Sequence, residues 1–138
     1  DSLYFVYLGK KQDSEASVRN YLRTHPPGKK VVSRVSLLTR KIMEAGDLNA
    51  FNKLIDEHES LIASVTGLSR MASGILKGFG GGVKSLGAWG GDFILVTWDG
   101  GFDELQTFLR DRDLFTVIPF REMVLNPEKR INQNSPRP

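Results

Sequence analysis

Glycine is concentrated in one short part of this sequence. Eight of its fourteen glycines fall between Gly74 and Gly91, and inside that stretch runs Gly82-Val83-Lys84-Ser85-Leu86-Gly87-Ala88-Trp89-Gly90-Gly91-Asp92. Glycine lets a backbone take positive φ and lets a ligand approach peptide N–H groups. Successive N–H groups in such a loop form an anion-binding concavity. Lys84 adds a positive charge beside it, Ser85 a hydroxyl and Asp92 a carboxylate. That set suits a phosphoryl group, because phosphoryl transfer asks a protein mainly for positioning and charge neutralisation. The plainer alternative is that the glycines only make a hairpin bend or a bulge. Residue types alone leave both readings open. Neither Gly-x-x-x-x-Gly-Lys-Ser/Thr nor Gly-x-Gly-x-x-Gly occurs, so a P-loop or Rossmann site has no support.

Other polar residues carry weaker signals. His58 falls on an apolar helical stripe and reads as a partnered core histidine rather than a catalyst. His25 precedes Pro26-Pro27 and reads as a surface loop residue. Asp56, Glu57 and Glu59 read as a solvated helix face. Tyr4, Phe5 and Tyr7 form an aromatic strand of the kind that stacks bases in some RNA-binding sheets. No basic-aromatic signature accompanies them, and the net charge is only +3 with scattered basic residues, so nucleic-acid binding is not expected. The absence of cysteine excludes a disulfide scaffold, a thiolate metal site and a cysteine nucleophile.

The elements that must position the glycine segment follow from periodicity. Leu3 to Leu8 is aromatic and branched and reads as a buried strand ending at Gly9. Asp13 or Ser14 caps a helix through about Arg23, and His25-Pro26-Pro27-Gly28 ends it. Val32, Val35, Leu38, Ile42 and Ala45 predict a second helix over about Val31 to Ala45, stopped by Gly46. Asp47 caps a third, whose apolar members run from Leu48 to Val65, and these two helices should form an antiparallel pair. Leu68 to Lys77 is read as a short helix. Phe93 to Trp98 is an apolar strand, Phe102 to Leu109 a fourth helix, and Leu114 to Phe120 a last strand. The order predicts an α+β domain with an antiparallel or mixed sheet and helices on one face.

We expect one domain over residues 1–125 and a polar tail over 126–138. Hydrophobic residues make up 40% of the chain and charged residues 25%, which suits a folded domain rather than a disordered one. No run approaches the ~18 apolar residues of a membrane span. No basic start precedes an apolar core, so no signal peptide is expected and cytoplasm is the default compartment. The chain opens with Asp1 rather than methionine, which fits a processed chain or a portion of a longer one.

The segment Lys84-Ser85-Leu86-Gly87-Ala88-Trp89-Gly90-Gly91-Asp92-Phe93 resembles the third conserved motif of the GHMP kinases. That superfamily includes galactokinase, homoserine kinase and the mevalonate-pathway kinases. In its motif a lysine, a small polar residue and an apolar residue precede a Gly-Ala-Gly-Gly-Gly type loop, and a strand follows. Here Trp89 stands where the family has glycine, and Asp92 follows the loop. The wording from Ser85 to Asp92 is similar to the GYDIA-type subgroup, as is the opening from Tyr4 to Gln12. The resemblance spans roughly Leu3 to Phe120.

What the resemblance implies is concrete. The fold would be the ferredoxin-like C-terminal domain of a GHMP kinase. The activity would be ATP-dependent transfer of a γ-phosphoryl group to a small metabolite, with the mevalonate pathway as the first substrate class to test. The loop of Gly87, Ala88, Trp89, Gly90 and Gly91 would support the nucleotide-phosphate loop and the substrate pocket, and Lys84, Ser85 and Asp92 would offer polar contacts. Trp89 would narrow the pocket, stack on a ligand, or cover the neighbouring domain as a loop tryptophan. The phosphate-cradling loop, the magnesium ligands and the catalytic aspartate would lie on an N-terminal GHMP domain of the same protein. ATP and magnesium are therefore expected only with that half present, and no catalytic or metal-binding residue is assigned here. Two rivals stand beside this reading. One is a non-enzymatic small-molecule-binding or regulatory module. The other is an interface module whose apolar face self-associates when uncovered.

Overall fold

The computed structural model describes residues 2–9, 14–24, 28–87, 89 and 91–124. The expected caps at Asp13, the His25-Pro26-Pro27 break and the tail over 126–138 lie outside the described residues. The first strand, β1 (Leu3–Tyr7), buries Tyr4 and Val6 and leaves Leu3, Phe5 and Tyr7 half-buried, the alternation a pleated strand requires. It lies inside a four-stranded sheet with β2 (Val83–Ser85), β3 (Phe93–Thr97) and β4 (Val117–Pro119). The order is β2-β3-β1-β4, and every neighbouring pair is antiparallel. β3 sits between β1 and β2, which is why its run from Ile94 to Thr97 is buried throughout.

Register decides what the faces hold. Tyr4 pairs with Val96 and Val6 with Ile94, while Val83 also pairs with Val96. These five apolar side chains share one face and one core cluster. Helix α4 (Phe102–Arg110) brings Leu105 and Leu109 onto that cluster, and Leu76 and Leu114 close it from the loops. Leu76, Leu105 and Leu109 are fully buried, each contributing about 1.5–3 kcal/mol of apolar transfer.

Between β1 and β2 come α1 (Ser14–Thr24), α2 (Lys29–Met43) and α3 (Leu48–Thr66). Leu38 of α2 and Ile55 of α3 are buried, and α2 and α3 are in contact, as the two apolar stripes anticipate. An Arg34–Glu57 ion pair ties their outer sides. Asp47 caps α3, its Oδ1 accepting the Ala50 N–H at 2.7 Å. Asp47→Ala is expected to lower stability by about 1 kcal/mol in a urea titration. Gly67, at φ +73°, ends α3 with its N–H on the Ala63 carbonyl.

Several boundaries differ from expectation. α2 runs two residues earlier at each end, because Gly28 already accepts the first helical N–H, from Val31, and Glu44 rather than Gly46 closes it. The short helix expected over 68–77 is only a 3-10 turn, Met71–Ser73, cut off at Gly74. The last strand is three residues rather than seven. Asp113, at φ +59°, reverses the chain after α4, and Leu114 drops into the core. Pro119 cannot donate to the ladder, and Phe120 instead opens a short helix, α5 (Phe120–Met123). Phe120 stacks on Phe5 with ring centroids 5.5 Å apart, so α5 lies on the sheet face opposite Tyr4 and Val6. The α+β class holds. Among the described residues no helix is long and apolar enough to cross a membrane.

Candidate functional site

The glycine segment becomes the connection between β2 and β3, which are neighbours in the sheet. Residues 86–92 therefore make a hairpin loop. Gly87 sits at φ +62° and Trp89 at φ +55°, both in the left-handed region. Ala88 and Gly90 lie outside the described residues. At Gly91 an added Cβ would stand 3.1 Å from the Leu86 carbonyl oxygen, so the two ends of the loop approach closely. The Asp92 carbonyl accepts the Leu8 N–H at 2.8 Å and ties the loop's exit to the end of β1.

Trp89 is not the exposed loop residue that its neighbours predict. Its ring is 8% exposed, and its Nε1 finds no hydrogen-bond partner among the described residues. A buried tryptophan in a left-handed conformation departs from two local preferences at once.

Upstream, two glycines answer to packing. A Cβ at Gly81 would lie 1.8 Å from the Thr97 carbonyl oxygen, and one at Gly82 would lie 2.6 Å from Asn52 Oδ1. Gly82 donates its N–H to Thr97 Oγ1 at 2.6 Å, and that hydroxyl donates to Asn52 Oδ1 at 2.7 Å. The plainer reading is the right one for this pair: glycine lets β3 and α3 close on the chain.

The polar residues beside the loop meet a partner that sequence reading misplaced. Glu59 is 1% exposed, not part of a solvated face. Asn52, Ile55 and Glu59 are spaced to share one side of α3, which lies along β2. Glu59 follows Ile55 by four residues and precedes Ile62 by three, so its place on the apolar stripe was legible. The charge of its type argued the other way. Asp56 does face solvent, in an ion pair with Arg70.

Ser85 donates its hydroxyl to Glu59 Oε2 at 2.8 Å, while Glu59 Oε1 accepts no hydrogen bond among the described residues. The Lys84 Nζ stands 3.6 Å from Glu59 Oε1 and donates to the Ser85 carbonyl at 3.2 Å. His58 Nδ1 lies 3.9 Å from Glu59 Oε1, beyond hydrogen-bond reach, and has no partner among the described residues. His58 is therefore largely buried as expected, but its Nδ1 is not partnered. Burial pushes the Glu59 pKa up. The neighbouring His58 imidazole, Ser85 and the Lys84 charge together outweigh burial and hold it below its ordinary value.

This geometry limits the chemistry. A serine hydroxyl donating to a carboxylate would be an activated nucleophile in an open cleft. Ser85 is 3% exposed and meets no substrate there. Lys84 is not a free cation, since Glu59 balances its charge. Among the described residues no group of three or more His, Asp or Glu is placed to hold a metal ion. Of the described residues between Ser85 and Phe93, Gly87 is exposed, and Trp89 and Gly91 are buried. Set against models of known protein families and against curated proteins, the chain matches none.

Proposed function

We propose that this chain is the C-terminal, ferredoxin-like domain of a GHMP-type kinase, which transfers the γ-phosphoryl group of ATP to a small metabolite. The observation that carries the reading is the context of the motif. Lys84 and Ser85 end one strand, Phe93 opens the next, and the loop between them uses left-handed backbone at Gly87 and Trp89. A phosphate-supporting loop needs that backbone freedom. Supporting the fold part of the reading, the helices fall between β1 and β2 and between β3 and β4, and the sheet order is β2-β3-β1-β4. Three helices fill the first gap and one the second, an order that agrees with the β-α-β-β-α-β arrangement of ferredoxin-like domains. ATP, magnesium and the catalytic residues belong, on this reading, to an N-terminal domain of the same polypeptide. A mevalonate-type metabolite is the first substrate to try, and a cytoplasmic location belongs to the same reading.

A second reading is favoured by the Lys84–Glu59 pair. A lysine already neutralised from within suits a small-molecule-binding module that performs no chemistry. Calorimetry with ATP and magnesium separates the two. The kinase reading expects binding by the complete natural polypeptide that carries this sequence and none by residues 1–138 alone. Absence of binding by both overturns it in favour of the binding module.

A further inference from the structure

Among the described residues three polar side chains are buried, Glu59, Ser85 and Thr97. Thr97 is accounted for by Gly82 and Asn52. Glu59 and Ser85 meet at the last residue of β2, one residue before the loop begins. We propose that Glu59 is the positioning residue of the 86–92 loop, setting from α3 the direction in which the chain enters it, for a ligand of the anionic phosphoryl class. The ligand class rests on the kinase reading above; the positioning does not.

The carboxylate accepts the Ser85 hydroxyl at 2.8 Å with both side chains buried. That buried hydrogen bond holds Ser85 against α3, and the next peptide plane along the chain is the first of the loop. β2 is an edge strand, and an edge strand has backbone groups with no strand to pair with. α3 lies along that edge, and its Glu59 gives the Ser85 hydroxyl a buried acceptor. The loop's exit is fixed separately, by the Leu8 N–H on the Asp92 carbonyl. Entry and exit are thus held by different elements, and the left-handed Gly87 and Trp89 lie between the two anchors. Lys84 is held more loosely. Its Nζ is 3.6 Å from Glu59, and its side chain is 26% exposed. Were Lys84 drawn toward an anion on the loop, Glu59 would keep its hydrogen bond from the Ser85 hydroxyl.

Amide hydrogen exchange of the complete natural polypeptide tests this, read by mass spectrometry in wild type, Glu59→Gln and Ser85→Ala. Peptides covering 86–92 are expected to exchange faster in each variant by about tenfold more than peptides from β1 and β3, whose rates rise only with the loss of global stability. The double variant should exchange no faster than Ser85→Ala alone, because Glu59→Gln weakens the same contact that Ser85→Ala removes. A rise spread evenly over the chain would reveal plain destabilisation and overturn the proposal, as would unchanged exchange at 86–92. ATP affinity with magnesium, measured on the same proteins, is expected to weaken about tenfold in Glu59→Gln. If wild type binds ATP and Glu59→Gln binds it equally well, the proposal fails. If wild type binds no ATP, the kinase reading fails, and the exchange of 86–92 still decides whether Glu59 positions the loop.

Discussion

Glu59→Ala is expected to destabilise the fold by about 3 kcal/mol in a urea titration, because it breaks a buried charged network from its centre. The carboxylate is 1% exposed and Ser85 3%, so water cannot replace the lost acceptor. The Ser85 hydroxyl would be left without it. Lys84 softens the loss, since its partly exposed ammonium can turn to solvent. Glu59→Gln keeps an acceptor oxygen and gives up the charge, and should cost about 1–2 kcal/mol. A loss below ~0.5 kcal/mol for the alanine variant would mean that the pair behaves as a surface contact.

The same residue sets a pH dependence. Its folded pKa lies below the ordinary 4.5, despite burial, because the polar neighbours favour the ionised form. Its contribution is therefore fully present above the unfolded value and is lost as pH falls through the lower folded value. The stability gap between wild type and Glu59→Gln should accordingly narrow as pH falls below about 4.5. A gap that widened on acidification would show that burial dominates and that the sign is reversed.

Substitutions at Trp89 should give the second large effect, with an unusual order. Trp89→Ala removes a ring that is 8% exposed and should cost about 3–5 kcal/mol. Alanine would also keep the burden of φ +55°, which weighs about 1–2 kcal/mol on a residue with a Cβ. Trp89→Gly loses the same ring and sheds that burden. Stability should thus run from wild type through glycine to alanine, read from denaturant midpoints. At ordinary backbone angles alanine stands above glycine by about 0.5–1 kcal/mol, so finding that order would remove the left-handed conformation from the account. The GHMP-type motif that this loop resembles carries glycine here, and a left-handed site is where glycine costs least. In this chain the ring's burial offsets the backbone cost.

Much of the scaffold was legible because its signals are local. The β1 alternation of Tyr4 and Val6 with Phe5 and Tyr7, the Asp47 cap and the α3 stripe from Leu48 onward each depend on residues within a turn or two. Boundaries slipped where a local signal met a distant contact. Leu114 looks like a strand residue and is used as a core plug, and Phe120 leaves the strand to stack on Phe5 across the sheet. The candidate site was half legible. Lys84, Ser85 and the glycines marked the place, and the spacing of Phe93 put a strand after it.

The sequence by itself determined an α+β chain with a glycine-rich connection between two strands, since periodicity and glycine content act over a few residues. It could not say that Glu59, twenty-six residues before Ser85, turns inward to hold it. It could not say that Trp89 is buried in a backbone conformation made for glycine. Both depend on α3 lying along the edge strand β2, a contact between segments far apart in the chain. Burying a carboxylate is unfavourable unless donors surround it, and only the tertiary structure brings those donors together.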